Sequence, residues 1–380
     1  MTLSVFWRLL TLSHEKERVM QLFLKPNDTF FFRDGKPFTR GEQSEGYSIE
    51  TPFPSTVMGA LRTAYIAFYG DIAQFANDQM KSVIGTKQSL DGASIHIKGV
   101  FLGRSEDSLY YPTPRDLVSE KKSQDPRLYL LSLESPSDAF TSNAELPALL
   151  TWKDSKKQVE HTDGYISCGN LRKYLRGETQ DLMSEESNFI IDEPKVGITR
   201  NYKTLTAADG MLYRINMKRF VDSTLGFVVD VDGIDQVPKR ALIKLGGEGK
   251  GFAYRKISQN TDPLSDGDRI ILKDKVSASR KFKLYLVTHA IFDDGWFPKD
   301  LHPDIELITA AVGNHVHVGG WDVAHSRPKS TYRAVPAGSV YYFQLTNGAD
   351  VDKILNCLHY KNISDQRAQE GFGLAYIGTV

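Results

Sequence analysis

The chain has 380 residues, a length that suggests about two domains of ordinary size. Its 47 Lys and Arg residues equal its 47 Asp and Glu residues, so the formal net charge is zero, which excludes a protein that is basic throughout, such as a histone. A local basic surface on a neutral chain can still bind nucleic acid. Hydrophobic residues make up 41% of the chain, enough for a core, which excludes disorder along the whole length.

The cysteines and the N-terminus indicate the cellular setting. Cys168 and Cys357 are far apart in the sequence, so they predict neither a disulfide framework nor a Cys-x-x-Cys metal site, and a reducing cytoplasm is expected. No apolar run reaches the roughly 18 residues of a membrane helix, so we expect no membrane partner. The first 19 residues lack the features of a signal peptide, and a regular strand pattern starts at Met20. We predict that residues 1–19 are an extension outside the fold, such as an upstream start codon would add.

The first half of the chain has a strand, a helix and a hairpin in that order. Alternating residues predict a strand over 20–25, with more extended chain over 30–33. Ser55 is predicted to cap a helix that Gly70 ends. Residues 95–101 and 109–111 predict a β-hairpin. This order fits the first part of a ferredoxin-like domain. The polar residues 121–192 are predicted to be insertions outside the core, with one helical stretch near residues 170–176.

The second half repeats this mixture of strands and helices. After a strand at residues 213–220, the predicted strands of this half are at residues 225–231, 269–272, 283–292, 305–312 and 339–345. A short helix is predicted over 239–245, and a final helix over 351–358, where apolar residues recur at helical spacing. Two α+β halves of similar content are compatible with a divergent duplication.

Motifs for catalysis and for metal binding are incomplete. The glycine-rich residues 246–251 match neither the P-loop nor the dinucleotide-binding pattern, so they are either a plain turn or a loop that lies against a phosphate backbone. His315 and His317 would share one face of a strand, but no third ligand is apparent. Asp293 and Asp294 are predicted to form a turn, because a two-metal site would need further spaced carboxylates. We therefore expect neither a metal nor another cofactor, and no enzyme activity.

Charge is distributed unevenly along the chain. Residues 195–219 contain six basic residues and one acidic residue, a net charge of +5, and residues 239–256 have the same balance. Arg327, Lys329 and Arg333 form a third basic group, while acidic residues concentrate at 178–193 and 293–306. Such segregation can hold a polyanion on one face. Tyrosines interleave with the cations, as base stacking would require: Tyr202, Tyr213, Tyr254 and Tyr332.

Six stretches in order resemble one protein family. They are PFPSTVMGALR at 52–62, GITR at 197–200, LGGEGK at 245–250, GGWD at 319–322, AVPAGS at 334–339 and EGFG at 370–373. Together they resemble the third subunits of Cmr complexes, the type III-B CRISPR effectors, within the repeat-associated mysterious protein (RAMP) superfamily. The resemblance covers residues 20–380. The C-terminal glycine-rich loop of the superfamily is degenerate here, and residues 1–19 have no counterpart in the family.

The resemblance implies a fold, a role and partners. It implies an α+β protein of two ferredoxin-like (RRM-like) domains with long insertions, which we place at residues 20–221 and 222–380. It implies a non-catalytic subunit that grips the five-prime handle of the CRISPR RNA beside the large polymerase-like subunit and the repeated backbone subunit. RRM-like sheets present an open face to single-stranded RNA. The residues that we predict to contact RNA are Arg200, Lys203, Lys250, Arg327, Lys329, Gly246, Gly247, Gly249, Gly371 and Gly373.

Three alternatives remain open on the sequence. The first is a metal-independent endoribonuclease that processes CRISPR RNA, which would need a positioned general base. The second is a scaffold that contacts only proteins. The third is the related handle-binding subunit of type III-A effectors, although the GGWD motif at 319–322 favours type III-B.

Overall fold

The protein has a mixed α/β fold with mostly antiparallel sheets and few helices. A computed structural model describes residues 19–35, 45–105, 108–123, 125–136, 146–185, 188–200, 203–204, 206–234, 236–322 and 325–380. The predicted extension, residues 1–19, therefore lies outside the described residues except for its last position.

The helices are short apart from two. In chain order they are α1 (Pro54–Tyr69), α2 (Ile72–Ala76), α3 (Lys81–Ile84), α4 (Cys168–Leu175), α5 (Asp266–Ser279) and α6 (Val351–Leu358), followed by a 3-10 turn at Ala368–Glu370. None of the helices in the described ranges has both the length and the apolar character that crossing a membrane would require.

The strands are more numerous. From the N-terminus to residue 200 they are β1 (Met20–Pro26), β2 (Glu45–Gly46), β3 (His96–Arg104), β4 (Ser108–Pro112), β5 (Leu117–Glu120), β6 (Arg127–Leu130), β7 (Ser132–Glu134), β8 (Leu149–Thr151), β9 (Val159–His161), β10 (Tyr165–Ser167), β11 (Leu182–Met183) and β12 (Ile190–Arg200). The remaining strands are β13 (Ala207–Phe220), β14 (Leu225–Asp232), β15 (Arg240–Lys244), β16 (Gly251–Ile257), β17 (Lys281–Leu286), β18 (Ile305–Ala311), β19 (Val316–Val318), β20 (Trp321–Asp322), β21 (Arg327–Pro328), β22 (Tyr332–Ala334), β23 (Val340–Leu345), β24 (Lys361–Asn362) and β25 (Leu374–Thr379).

A seven-stranded sheet, here called the first sheet, has the order β10-β4-β3-β14-β1-β16-β15. Its strands alternate between two environments because successive side chains point to opposite faces. Leu22 and Leu24 of β1 pack in one apolar cluster with residues of α1. Phe23, between them in the sequence, belongs to a second cluster, which also contains residues of a five-stranded sheet. The first sheet is therefore covered on both faces over its central strands.

A five-stranded sheet, here called the second sheet, has the order β18-β23-β17-β25-β24. Leu272 of α5 and Ile354 of α6 are buried in the same cluster as its strands. That cluster also contains Phe101 and Val228 of the first sheet, so the two sheets share one core. Smaller sheets pair β11-β6-β5-β9, β12-β13-β2, β19-β22, β20-β21 and β7-β8, and only β13 with β2 is parallel among the described pairings.

Most long elements are confirmed, but three local predictions are wrong. The first helix begins at Pro54 with Phe53 as its N-cap, not at Ser55, because the ring of proline suits the first helical turn. The predicted helix at residues 239–245 is instead strand β15 (Arg240–Lys244), which is defined by its pairing with β16 rather than by local propensity. Residues 269–272 lie inside α5, whose start at Ser265 is marked by a capping box with Asp268. A short apolar run does not distinguish a strand from a helix.

The prediction that residues 121–192 lie outside the core is wrong. Leu128, Ile166, Leu171 and Tyr174 are buried in the cluster shared by the two sheets. The predicted helical stretch near 170–176 is confirmed as α4. The segment is polar overall, but these apolar side chains pack into the core, while Met183 and Ile191 stay exposed.

The chain passes from the first sheet to the second between β16 and β17, which is after the predicted domain boundary at residue 222. Strands β14, β15 and β16, which cover residues 225–257, all belong to the first sheet. Strand β14 pairs with β1 on one side and with β3 on the other. The second sheet begins with β17, after α5.

Candidate nucleic-acid interface

Residues 27–35, here called the central segment, contact parts of the chain that carry, or pair with, each of the three basic groups of the sequence. The N–H of Phe30 donates to the C=O of Lys218 and the N–H of Lys218 donates to the C=O of Phe30, both at 2.8 Å. The C=O of Phe31 accepts the N–H of Gly247 at 2.8 Å. The N–H of Gly35 donates to the C=O of His317 at 3.1 Å. One strip of backbone thus gathers basic segments that lie far apart in the sequence.

The glycine loop, residues 246–251, joins β15 to β16 and packs on the central segment. Gly246 has φ of +83°, and a Cβ there would lie 2.5 Å from the carbonyl oxygen of Phe31. A Cβ at Gly247 would lie 2.8 Å from the ring of Phe31. Gly249 also has a positive φ, +64°, but faces open space. The Cβ side of the first two glycines therefore faces the central segment, whereas that of Gly249 faces open space.

Lys250 makes polar contacts within the protein. Its ammonium donates to the hydroxyl of Thr29 at 2.8 Å and to the carboxylate of Asp28 at 3.3 Å. The pKa of the Asp28 carboxyl is lowered, first by the N–H of Thr29 and then by Lys250. The Lys250 side chain is only 19% exposed. A phosphate would have to compete with these partners.

The prediction that acidic and basic residues are segregated is wrong for the long hairpin of β12 and β13, where they pair with each other. Lys218 pairs with Asp192 at 2.8 Å, and Arg219 pairs with Glu193 at 2.6 Å. The cause is the register, which places Asp192 directly opposite Lys218. Strand pairing therefore neutralises part of a charge that is concentrated in the sequence.

Two of the predicted RNA contacts, Arg200 and Lys203, lie at the far end of this hairpin. The backbone of Arg200 ends β12 opposite Ala207. Lys203 is exposed in the connection that follows. Tyr202 lies outside the described residues.

A basic ribbon, residues 316–334, is built from β19 to β22. Trp321 pairs with Pro328, and the N–H of Lys329 donates to the C=O of Gly320 at 3.0 Å. Arg327 and Lys329 are both exposed. The ribbon contacts the central segment at Gly35, and the glycine loop contacts it at Phe31, so Lys250, Arg327 and Lys329 lie on segments that share this neighbour.

Gly371 and Gly373 are inside the protein. Gly371 has φ of +105°, and a Cβ there would lie 2.8 Å from Pro54. Its C=O accepts the hydroxyl of Thr288, and the N–H of Gly373 donates to the C=O of His289. These contacts give the two glycines a packing role, and their contact with RNA stays a prediction.

The tyrosines and sheet faces that were predicted to stack on bases are largely covered by other parts of the protein. Tyr254 is buried, and burial raises the pKa of its hydroxyl to about 12. The ring of Tyr332 lies under the guanidinium of Arg367, 5.0 Å from its centroid. Strands β14 and β25 are buried on both faces. The expectation of an open sheet face is therefore wrong for the central strands.

The candidate metal ligands remain isolated. The rings of His315 and His317 lie 4.9 Å apart at right angles. The backbone N–H of Asp293 donates to Asp365, and its carboxylate accepts the amide of Gln366. Within the described ranges, no group of three or more His, Cys, Asp or Glu residues could hold a metal ion.

Arg367 is the residue that the sequence analysis missed. It donates to the C=O of Gly319 at 3.1 Å and covers Tyr332, so it ties both sides of the basic ribbon to the C-terminal part of the chain. No local signal marks it, since its partners are 35 and 48 residues away.

Comparisons with known proteins give matches over most of the chain. The sequence model of the family described as CRISPR-associated protein (Cas_Cmr3) matches residues 22–380. A chain in the cryo-EM structure of the type III-B Cmr-beta bound to cognate target RNA and AMPPnP is similar, with a TM-score of 0.50 and 14% identity, over 85% of this chain and 86% of that one. A chain of Cmr-beta bound to cognate target RNA has a TM-score of 0.49 at 14% identity, with the same coverage. No curated protein sequence matches.

Proposed function

The chain belongs to the Cas_Cmr3 family of CRISPR-associated proteins, and we propose that, as a subunit of a type III-B effector, it binds the CRISPR RNA by its five-prime handle without catalysing a reaction. Family membership supports the place in the effector. The similar Cmr-beta chains come from complexes with target RNA, which is compatible with a role beside RNA. The handle contact is the part that experiment must test.

The gathering of three basic segments around the central segment is the observation that carries this proposal. Arg327 and Lys329 on the basic ribbon, and Gly249 in the glycine loop, are exposed on segments that each contact the central segment. Exposed cations beside open backbone suit a sugar–phosphate chain, which is bound mainly through charge and backbone amides. Lys203 extends the same character to the far end of the β12–β13 hairpin.

The fold proposal is two ferredoxin-like domains, and strand order supports it. In such a domain a third strand lies between two strands that a helix joins. In the first sheet, β14 lies between β1 and β3, which α1 joins. In the second sheet, β17 lies between β23 and β25, which α6 joins. On this proposal the second domain begins after β16 rather than at residue 222.

The proposed partners are the large polymerase-like subunit and the repeated backbone subunit, with the cytoplasm as the site of assembly. Family membership is the support for them. Target cleavage and nucleotide synthesis would then belong to those partners.

Salt-dependent RNA binding tests the RNA role. Binding of single-stranded RNA should weaken with salt with a log–log slope of about −0.7 per neutralised phosphate. Replacing Arg327 or Lys329 by Ala should flatten the slope by about one such unit, whereas Lys353→Ala on α6 should leave it unchanged. Unchanged slopes in folded variants would refute the RNA role. Weaker assembly with normal RNA affinity would assign these residues to a subunit interface.

A cleavage assay tests the absence of catalysis. Purified protein and repeat RNA, with and without Mg²⁺, should give no cleavage. Metal-dependent cleavage that is lost in Asp293→Ala or His315→Ala would contradict the proposal. Cleavage without metal would identify a processing endoribonuclease instead.

A further inference from the structure

The edge of the first sheet formed by β15, β16 and the end of β1 has two very different faces. On the inner face Ile243, Phe252 and Tyr254 are buried. On the other face of the same strands Arg240 and Lys244 are exposed, and Leu242 between them is 68% exposed. Because side chains alternate along a strand, this second face is open while the first is core.

The register brings more residues onto the open face. Arg240 lies opposite Arg255, and Leu242 lies opposite Ala253. Lys25 of β1 lies on the other side of Ala253 and is exposed. Directly paired residues point to the same face of a sheet. We call this the outer face; its exposed and half-buried side chains are those of Lys25, Arg240, Leu242, Lys244, Ala253 and Arg255. Phe23, opposite Arg255, is buried where this face continues into the core.

The outer face is cationic. Four of its six side chains are Lys or Arg, and none is acidic. The guanidinium of Arg255 lies 5.3 Å from the centre of the Phe23 ring, which fixes it against the sheet. Two neighbouring acids already have partners: Asp222 binds Arg104 at 2.8 Å, and Glu248 pairs with Lys195 at 3.7 Å. With a strand rise of about 3.3 Å, Arg240 and Lys244 are about 13 Å apart.

An RNA backbone fits this surface better than a protein does. The cores of protein interfaces are depleted of Lys and need roughly 800 Å² of contact on each partner. The outer face offers one exposed Leu among four cations. It also continues into the glycine loop, because Lys244 pairs with Gly251 at the hairpin end and Gly249 opens to solvent just beyond.

We propose that the outer face binds the sugar–phosphate backbone of single-stranded RNA and leads it to the glycine loop. The inference rests on the proposed RNA-binding function and specifies a surface for it. The side chains of Leu242 and Ala253 are shorter than the surrounding Lys and Arg side chains, so the RNA backbone can approach the sheet there. The cations around them contact phosphates without regard to base sequence.

Binding of a fluorescein-labelled single-stranded RNA of mixed sequence, measured by anisotropy from 50 to 200 mM KCl, tests the outer face on the full chain. The perturbed protein carries Lys25→Ala, Arg240→Ala and Lys244→Ala. A matched control carries three exposed replacements elsewhere: Lys121→Ala, Lys156→Ala and Lys353→Ala. A second variant, Arg240→Lys with Lys244→Arg, keeps the charge. Circular dichroism and melting temperature report folding.

The triple variant should lose about three phosphate contacts, so its salt slope should flatten by about 2. Between 50 and 200 mM KCl the wild type should therefore lose affinity by a factor about 18 times larger than the factor that the triple variant loses. The control and the charge-keeping variant should behave as the wild type.

An unchanged slope in a folded triple variant, with the wild type binding normally, would overturn the outer-face assignment and leave the RNA function standing. An unchanged slope with weaker assembly would likewise overturn it and indicate an acidic protein partner. Wild-type protein that does not bind RNA would refute the proposed function itself.

Discussion

Removal of the Arg367 side chain should release the outer end of the basic ribbon without unfolding the protein. Arg367 donates to the C=O of Gly319 at 3.1 Å and lies 5.0 Å from the centre of the Tyr332 ring. A hydrogen bond from a charged group contributes about 1.5–3 kcal/mol, and a partly exposed cation–π contact about 0.5–1 kcal/mol. Arg367→Ala should therefore lower the free energy of local opening by about 2 kcal/mol, equivalent to roughly 30-fold faster exchange.

Hydrogen exchange measured by mass spectrometry reads this opening directly. The informative amides are those of Lys329, which donates to Gly320, and of Gly35, which donates to His317. Arg333→Ala is the matched control, because Arg333 is exposed on the same ribbon and carries the same charge. Equal protection in Arg367→Ala and the wild type would refute the reasoning. Faster exchange throughout the protein would show that Arg367 stabilises the whole fold instead.

Further predictions concern buried charge and backbone strain. Burial lowers the pKa of Lys283 from 10.5 to about 8, so the unfolded chain holds this proton between those pH values and the folded protein does not. Urea unfolding at several pH values should therefore show the wild type gaining roughly 3 kcal/mol over Lys283→Met from pH 8 to 10.5; parallel profiles would contradict this. Gly246→Ala should cost about 2 kcal/mol or more in urea unfolding, because a Cβ would meet the carbonyl of Phe31, whereas Gly249→Ala, open to solvent, should cost about 1 kcal/mol. Equal losses would show that the contact with Phe31 yields easily.

Local patterns in the sequence determined the elements that carry strong periodicity. The strand at Met20, the helix that ends before Gly70 and the final helix all appear where the spacing of apolar residues predicts them. Periodicity succeeds there because each element buries a whole stripe or face, and that requirement is written in consecutive residues. The ordered motifs also predicted the family, which the match over residues 22–380 confirms.

Only the tertiary structure decided which segments pair and therefore what each charge meets. The sequence showed two basic clusters of equal charge, yet Asp192 cancels Lys218 in one, while Arg240 and Lys244 of the other stay on an open face. Gly246 and Gly371 gain their roles from Phe31 and Pro54, which are far away in the chain. Strand register and long-range contacts are cooperative properties of the folded chain, so no window of neighbouring residues encodes them.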